Sequence, residues 1–270
     1  MNVVEIFRKI IVPFRGRGIG NFRPLKIGYK ILIALFNPIE VQGHKMFIND
    51  PELLTNPYSE NFRAGILKRE LKRGDIALDL GANLGYFTLF MAKIVGEEGK
   101  VFAFEPHPKN FSLLKKNIEI NGYRNIILVQ KAVSDRIGKE KLYYKKDGRF
   151  TDGTLCPLQK DRSFVEVETV KLADFIKERI NFIKMDIEGA EGLVIQDVPL
   201  IFKNKPLKML FEFHPKLIKK FGLEPLKILT TLEDYGFDLF KINEKEKKIE
   251  LVKDLQQLLD ETTNIFAKNL

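Results

Sequence analysis

Two sets of residues in this sequence are spaced to do chemistry. The first is Asp79, Gly81, Asn83 and Gly85, in the pattern Asp-x-Gly-x-Asn-x-Gly, with Glu105 lying 20 residues past Gly85. Glycines let a backbone turn tightly and come close to a ligand. An acid that far downstream, at the end of a second strand, accepts hydrogen bonds from both hydroxyls of a ribose. Nucleotide-containing cofactors of two kinds use this layout. A dinucleotide site wants Gly-x-Gly-x-x-Gly with a helix N-terminus facing a pyrophosphate. Here Asp79 stands two residues ahead of the first glycine. A carboxylate there repels a pyrophosphate and suits the ammonium of a methionine moiety, which points to S-adenosylmethionine (SAM) rather than NAD. The second set is Asp186, Glu188 and Glu191, with Glu212 and His214 further on. These are carboxylates and an imidazole of the kind that move protons.

Those residues need a sheet edge to hold them. Ile76 to Leu80 is a short apolar run after a Gly-Asp turn and reads as a buried strand. Leu84 to Val95 follows as an apolar helix closed by Gly96, and Val101 to Phe104 is a second strand ending on Glu105. Lys109 to Asn121 reads as a helix and Ile126 to Gln130 as a third strand. Phe182 to Met185 is a fourth strand, ending on Asp186, and Leu207 to Phe213 a fifth, ending at His214-Pro215. Leu172 to Glu178 and, broken by Gly222 and Pro225, Leu217 to Tyr235 read as helical. Phe237 to Ile242, Ile249 to Val252 and Asn264 to Ala267 are the last strands. Repeated β-α units imply an α/β fold, an open and mostly parallel sheet with helices on both faces. Ligands of such sheets sit at the carboxyl ends of the strands, so Ala132 and Val133 are placed to flank an adenine. Lys141 to Tyr144 and Val165 to Val170 alternate as strands do, making a β insertion beside the site and a wall for an acceptor.

Length and composition bound the rest. The chain has 270 residues and 44% hydrophobic residues, enough for one large α/β domain with additions. A net charge of +9 suits an anionic partner or surface without identifying one. One cysteine excludes an internal disulfide framework and fits a reducing compartment, and neither a signal peptide nor a membrane-spanning run is visible. A cytoplasmic protein is expected, with a possible hold on an anionic membrane through its basic start. Residues 1–40 form that arm or cap, and 41–270 the catalytic domain. In the arm Arg8, Lys9, Arg15, Arg17, Arg23, Lys26 and Lys30 face Glu5 as sole acid through residue 36. Either it packs on the core as a cap, or it docks on a membrane or an acceptor.

The motifs taken in order resemble the FkbM-type SAM-dependent methyltransferases. The resembling segments are Gly74-Asp75 with Asp79 to Tyr86, Ala103 to Pro106, Leu114 to Asn117, Lys131 to Asp135, Lys184 to Glu191, and Glu212 to Pro215. Each alone is common among methyltransferases; the ordered set, spread over residues 40–267, is specific. The resemblance implies a Rossmann-like class I methyltransferase fold, a seven-stranded sheet with the last strand antiparallel and the β insertion between the third and fourth strands. It also implies O-methylation, usually of sugars, glycans or secondary metabolites. The expected cofactor-binding residues are Asp79, Gly81, Ala82, Asn83, Gly85, Tyr86, Phe87, Glu105, Pro106, Ala132, Val133 and Asp186. Expected catalytic residues are Asp186, Glu188 and His214.

A sugar hydroxyl is a weak nucleophile at neutral pH, so a base or a metal must help take its proton. Asp186, Glu188, Glu212 and His214 are the candidates, His214 because its ordinary pKa lies in the useful range. His214 reads equally well as a helix-capping residue, and Asp186 as a carboxylate that orders the cofactor loop. Asp186 and Glu188 offer an alternative route through a divalent cation, although no residue is assigned to a metal. His44 and His107 read as structural, and Cys156 as a small apolar residue. RNA or another nucleic acid is the competing acceptor, motivated by the charge. Against it stand the lack of an Asn-Pro-Pro-Tyr type motif, of a Pro-Cys nucleophile and of a recognisable RNA-binding module.

Overall fold

The computed structural model describes residues 37–48, 57–145, 153–157, 162–196, 198 and 206–269. The basic arm through residue 36, and most of the loop from 147 to 161, lie outside the described residues. A hairpin, β1 (Ile39–Val41) and β2 (His44–Met46), precedes helix α1 (Pro57–Glu70). Then come β3 (Ile76–Leu80), α2 (Tyr86–Val95), β4 (Lys100–Phe104), α3 (Pro108–Asn121) and β5 (Ile126–Val129). β6 (Ala132–Val133), β7 (Gly138–Lys145) and β8 (Arg162–Val170) form a separate three-stranded sheet. The chain returns through α4 (Leu172–Phe175), β9 (Phe182–Met185), α5 (Glu191–Ile195) and β10 (Leu207–Phe213). It ends in α6 (Pro215–Lys220), α7 (Pro225–Asp234), β11 (Asp238–Asn243), β12 (Lys248–Leu251) and β13 (Thr263–Asn269).

The main sheet runs β12-β11-β13-β10-β9-β3-β4-β5. Strands β5, β4, β3, β9 and β10 are parallel, and β13 enters antiparallel between β10 and β11. This is the expected seven-stranded arrangement with its last strand antiparallel. An eighth strand, β12, adds a hairpin to β11 at the edge. The β insertion lies where expected, between the strands third and fourth in sequence. Two elements differ in extent. The hairpin starts inside the segment expected to be arm, because Ile39 is buried beside Met46, Leu89, Leu114 and Ile118. The helix after the insertion stops at Phe175, short of Glu178. Gly222 and Pro225 divide the next helical stretch into α6 and α7, as a left-handed glycine and a residue without an N–H must.

The period of two along each strand decides what faces what. Leu78 and Leu80 of β3 pack with Ile183 and Met185 of β9 and Phe211 and Phe213 of β10, under α5, α6 and α7. Ala77, Phe182, Leu210 and Phe266 pack on the other side against Ile66 and Leu67 of α1 and Phe87, Met91 and Val95 of α2. The sheet is thus covered on both faces, which is why its central strands are almost wholly apolar. Toward the carboxyl ends of the parallel strands the exceptions on the α1–α2 face are Asp79, Lys184, Glu212 and Asn264, whereas Lys208 and Lys268 pair in register at the opposite end, Lys208 bonded to Glu70 of α1. Those four polar interruptions mark the site.

Candidate active site

Asp79 and Lys184 are direct partners in the β3–β9 register. Both point to the α1–α2 face. Their ion pair spans 3.2 Å, with the side chains 0% and 7% exposed. Thr88 of α2 donates its hydroxyl to Asp79 at 2.6 Å, and Lys184 Nζ donates to the Gly81 carbonyl at 3.1 Å. Burial alone would lower the Lys184 pKa, but Asp79 and then Asp186 outweigh it and raise it, so the ammonium stays charged. Asp79 is therefore sealed beneath the loop, where it anchors Lys184 and through it Gly81. The sequence suggested a carboxylate for a ligand ammonium, and the register gives Asp79 a cation of the chain itself, Lys184.

The loop above them is built from left-handed backbone. Gly81, Asn83 and Gly85 have φ of 80, 50 and 95°. A Cβ on Gly81 would stand 1.9 Å from the Asp186 carbonyl oxygen, so only glycine permits this approach of β3 to β9. Gly81 and Ala82 donate their N–H groups to the Phe104 carbonyl at 3.0 and 2.9 Å, locking the loop to the end of β4. From behind, the buried Asn117 of α3 donates to the carbonyls of Leu84 at 2.8 Å and Phe47 at 3.1 Å, tying loop and hairpin together.

Glu105 follows β4 and faces the loop. Its carboxylate accepts from the Asn83 N–H at 2.8 Å, the His107 N–H at 2.9 Å and, more weakly, the Asn110 amide at 3.5 Å. Burial pushes its pKa up to about 7, against the pull of those donors and of Lys184. Two oxygens with lone pairs to spare, next to a glycine loop, fit a ribose diol. Asn83 Oδ1 is buried with no hydrogen-bond partner among the described residues, and a donor on a ligand would satisfy it. The residues present therefore fit an adenosine-containing group. His107 belongs to the frame: its ring stands edge-on to Tyr144 of the insertion, and burial followed by Lys109 lowers its pKa to about 4. His44 hydrogen-bonds Tyr123 at 2.8 Å and is likewise framework. Ala132 and Val133 are the two residues of β6, paired with Thr169 and Val170, and are 6% and 4% exposed.

The second expected set converges. His214 Nε2 lies 3.6 Å from Glu188 and 3.9 Å from Glu212, and its Nδ1 lies 3.5 Å from Glu191. Burial would lower the histidine pKa. The three carboxylates, Glu191 foremost, overcome this and raise it to about 9. That shift favours the imidazolium, a donor, over the neutral ring that the ordinary pKa suggested. Glu191, fully buried, also accepts the Ile187 N–H at 3.2 Å and so fixes the turn after Asp186. Glu188 sits at φ 52°, a left-handed non-glycine residue, and its carbonyl accepts the Thr154 hydroxyl at 2.6 Å. The insertion thus grips this turn. Cys156, buried beside Thr154, donates its backbone N–H to that hydroxyl.

Between the two sets lies a small cleft lined by Arg63, Phe87, Lys184, Asp186, Glu212 and Asn264, with Met185, Leu210 and Phe211. Arg63 and Lys184 both stand over the Phe87 ring, at 5.4 and 5.3 Å. Among the described residues no group of three or more His, Cys, Asp or Glu is arranged to hold a metal ion. The expectations missed Arg63, Thr88, Lys184 and Asn264. Lys184 had a signal, since a cation within a buried strand requires a nearby anion, and Asp79 was the anion available. Arg63 and Asn264 had none, because they meet the site only through tertiary packing.

A parallel sheet with this order, a glycine loop after its first strand and an acid after its second define a class I SAM-dependent methyltransferase. A family model described as the methyltransferase FkbM domain matches residues 79–239, and the chain belongs to that family. It is 26% identical over 204 residues to methyltransferase sdnD of Sordaria araneosa, covering 60% of this chain and 73% of that one. It is 29% identical over 161 residues to the 31-O-demethyl-FK506 methyltransferase FkbM of Streptomyces tacrolimicus, covering 48% of this chain and 61% of that one. A solved structure from Clostridium thermocellum, provisionally described as an rRNA-methylase, superposes with a TM-score of 0.50 at 13% identity. It covers 78% of this chain and 96% of that one, and speaks to the fold alone.

Proposed function

We propose that this chain transfers the methyl group of SAM to a hydroxyl of a sugar, glycan or other small molecule. The observation that carries this reading is the cleft beside the loop, where Asp186 and Glu212 present carboxylates next to Arg63, Lys184 and Asn264. Such a lining offers acceptors and donors to a hydroxylated molecule and a place for its proton. The Streptomyces relative is named for transfer to an oxygen, which agrees with it.

Glu105 would hold the ribose, the loop from Gly81 to Gly85 would accommodate the rest of the nucleoside and the methionine chain, and Asn83 Oδ1 would take a donor. Tyr86, Phe87, Pro106, Ala132 and Val133 would supply the apolar walls. SAM brings an electrophilic methyl on a sulfonium; the protein supplies position and handles the proton. Asp79 contributes indirectly, by keeping Lys184 against the Gly81 carbonyl.

Transfer of labelled methyl from SAM to fractionated glycan, lipid and RNA pools tests the reading. Label in a sugar-containing or other hydroxylated small-molecule fraction is expected, and label confined to RNA would overturn it. The RNA reading rests on the net charge of +9. The basic arm is proposed to hold the enzyme near an anionic acceptor or membrane surface. No helix among the described residues is long and apolar enough to cross a membrane.

A further inference from the structure

Building on the hydroxyl-methylation reading, we propose that Glu212 is the residue that takes the acceptor's proton, with His214, whose Nε2 lies 3.9 Å away, as the positioning residue beside it. Glu212 lies on the α1–α2 face of β10, opposite Asn264 in the β10–β13 register. It lines the cleft with Arg63, Phe87, Lys184 and Asp186, and its side chain remains 28% exposed.

Apart from Asp186, the other groups are committed elsewhere. Both nitrogens of the His214 ring face carboxylates, Glu188 and Glu212 on one side and Glu191 on the other, and these charges favour the protonated ring, which has no lone pair to offer a proton. Glu191 is fully buried and bonded to the Ile187 N–H, and Asp79 is fully buried in its ion pair with Lys184. Glu188 belongs to the strained turn gripped by Thr154 and does not line the cleft. Asp186 does line it, and its negative charge works on Glu212.

The charges around Glu212 come from every side: Lys184 from β9 and Asp186 just after it, Glu191 from α5, His214 from beyond β10, and Arg63 from α1, itself paired with Glu244 at 3.3 Å. Burial first and Asp186 second raise the Glu212 pKa to about 7, with His214 and Arg63 opposing them. A base with that affinity is half ionised at neutral pH, near the optimum for accepting a proton.

The balance is simple. The hydroxyl oxygen forms a C–O bond to the methyl carbon, the C–S bond breaks with its electron pair going to sulfur, and the hydroxyl proton passes to a Glu212 Oε. The products are a methyl ether, a neutral thioether and a protonated Glu212, which then returns its proton to water.

Carbon-13 NMR of the full chain labelled at glutamate carboxyls tests the assignment, with Glu212→Gln identifying the resonance. Glu212 is expected to titrate near neutral pH, and to titrate at higher pH in His214→Gln, where the neighbouring cation is gone. Ionisation of Glu212 in the ordinary carboxylate range would overturn the proposal, as would an unmoved titration in His214→Gln. In parallel, Glu212→Gln should lower labelled methyl transfer into the responsive pool by about 100-fold or more, with SAM affinity nearly unchanged. Full transfer by Glu212→Gln would overturn it too. Failure of the wild-type chain to label any hydroxylated pool would instead defeat the methylation reading, while the NMR titration still judges Glu212.

Discussion

Asp79 and Lys184 show how far one residue's role depends on its register partner. The aspartate was visible in the glycine motif, and its position two residues before Gly81 was read as open to a ligand. Because β3 and β9 are neighbours, Lys184 arrives opposite it and takes the charge. Strand order is a property of the whole fold, so local spacing did not pair the two, although a lysine inside a buried strand called for an anion. Burying two charges is tolerable only while each has the other, and removing one partner typically costs about 3–5 kcal/mol. Lys184→Met alone and Asp79→Asn alone should each lower stability strongly. The double variant should lose less than the sum of the two, and denaturant unfolding of all four proteins measures that coupling. Additive losses would mean that the pair is not coupled in solution. His214 makes the same point. Its residue type suggested a base, and the three carboxylates brought around it by α5, β10 and the turn after β9 raise its pKa to about 9 and favour the cation.

At the scale of elements, the strand–loop–helix unit from Ile76 to Val95 was legible because each part carries its own signal. Apolar strand, glycines and an apolar helix follow one another with the spacing that turn geometry demands. The division of the stretch after His214 into α6 and α7 was legible through Gly222 and Pro225, whereas the edge strand β12 had to be seen beside β11 to be counted into the sheet. Glycines with similar dihedral angles separate conformational strain from steric contact. Gly74 and Gly81 have φ of 81 and 80°, but a Cβ on Gly74 would meet nothing within 4 Å, while one on Gly81 would strike the Asp186 carbonyl oxygen. Gly74→Ala should therefore cost about 1–2 kcal/mol, the left-handed term alone. Gly81→Ala should cost clearly more and also weaken SAM binding. Thermal unfolding with and without SAM compares them, and equal losses would show that the close approach of β3 and β9 is not required.

Over the whole molecule, buried titratable groups couple stability to pH. His214 holds its proton more tightly in the folded chain, with its pKa raised to about 9. Its contribution is present below the unfolded value near 6.5 and is lost as pH rises through about 9. Glu105 and Glu212, raised to about 7, make stability fall as pH rises from about 4.5 to 7. His107, lowered to about 4, and His44, also lowered, oppose them up to about 6.5. The window from 7 to 9 thus belongs mainly to His214. Scanning calorimetry should show the melting temperature falling across it in Glu212→Gln, and adding His214→Gln to that variant should flatten the fall. An unchanged slope in the double variant would remove the imidazolium from the account.

The loop from Gly81 to Gly85 and the buried Glu105 are read together as the seat of SAM, and calorimetric titration tests that most directly. SAM and its demethylated product should bind the wild-type chain with similar affinity, and NAD should not bind. Glu105→Ala should weaken SAM by about 1.5–3 kcal/mol, the scale of hydrogen bonds to a charged group. Tight binding of NAD without SAM, or a Glu105→Ala variant that binds SAM like the wild type, would contradict the account.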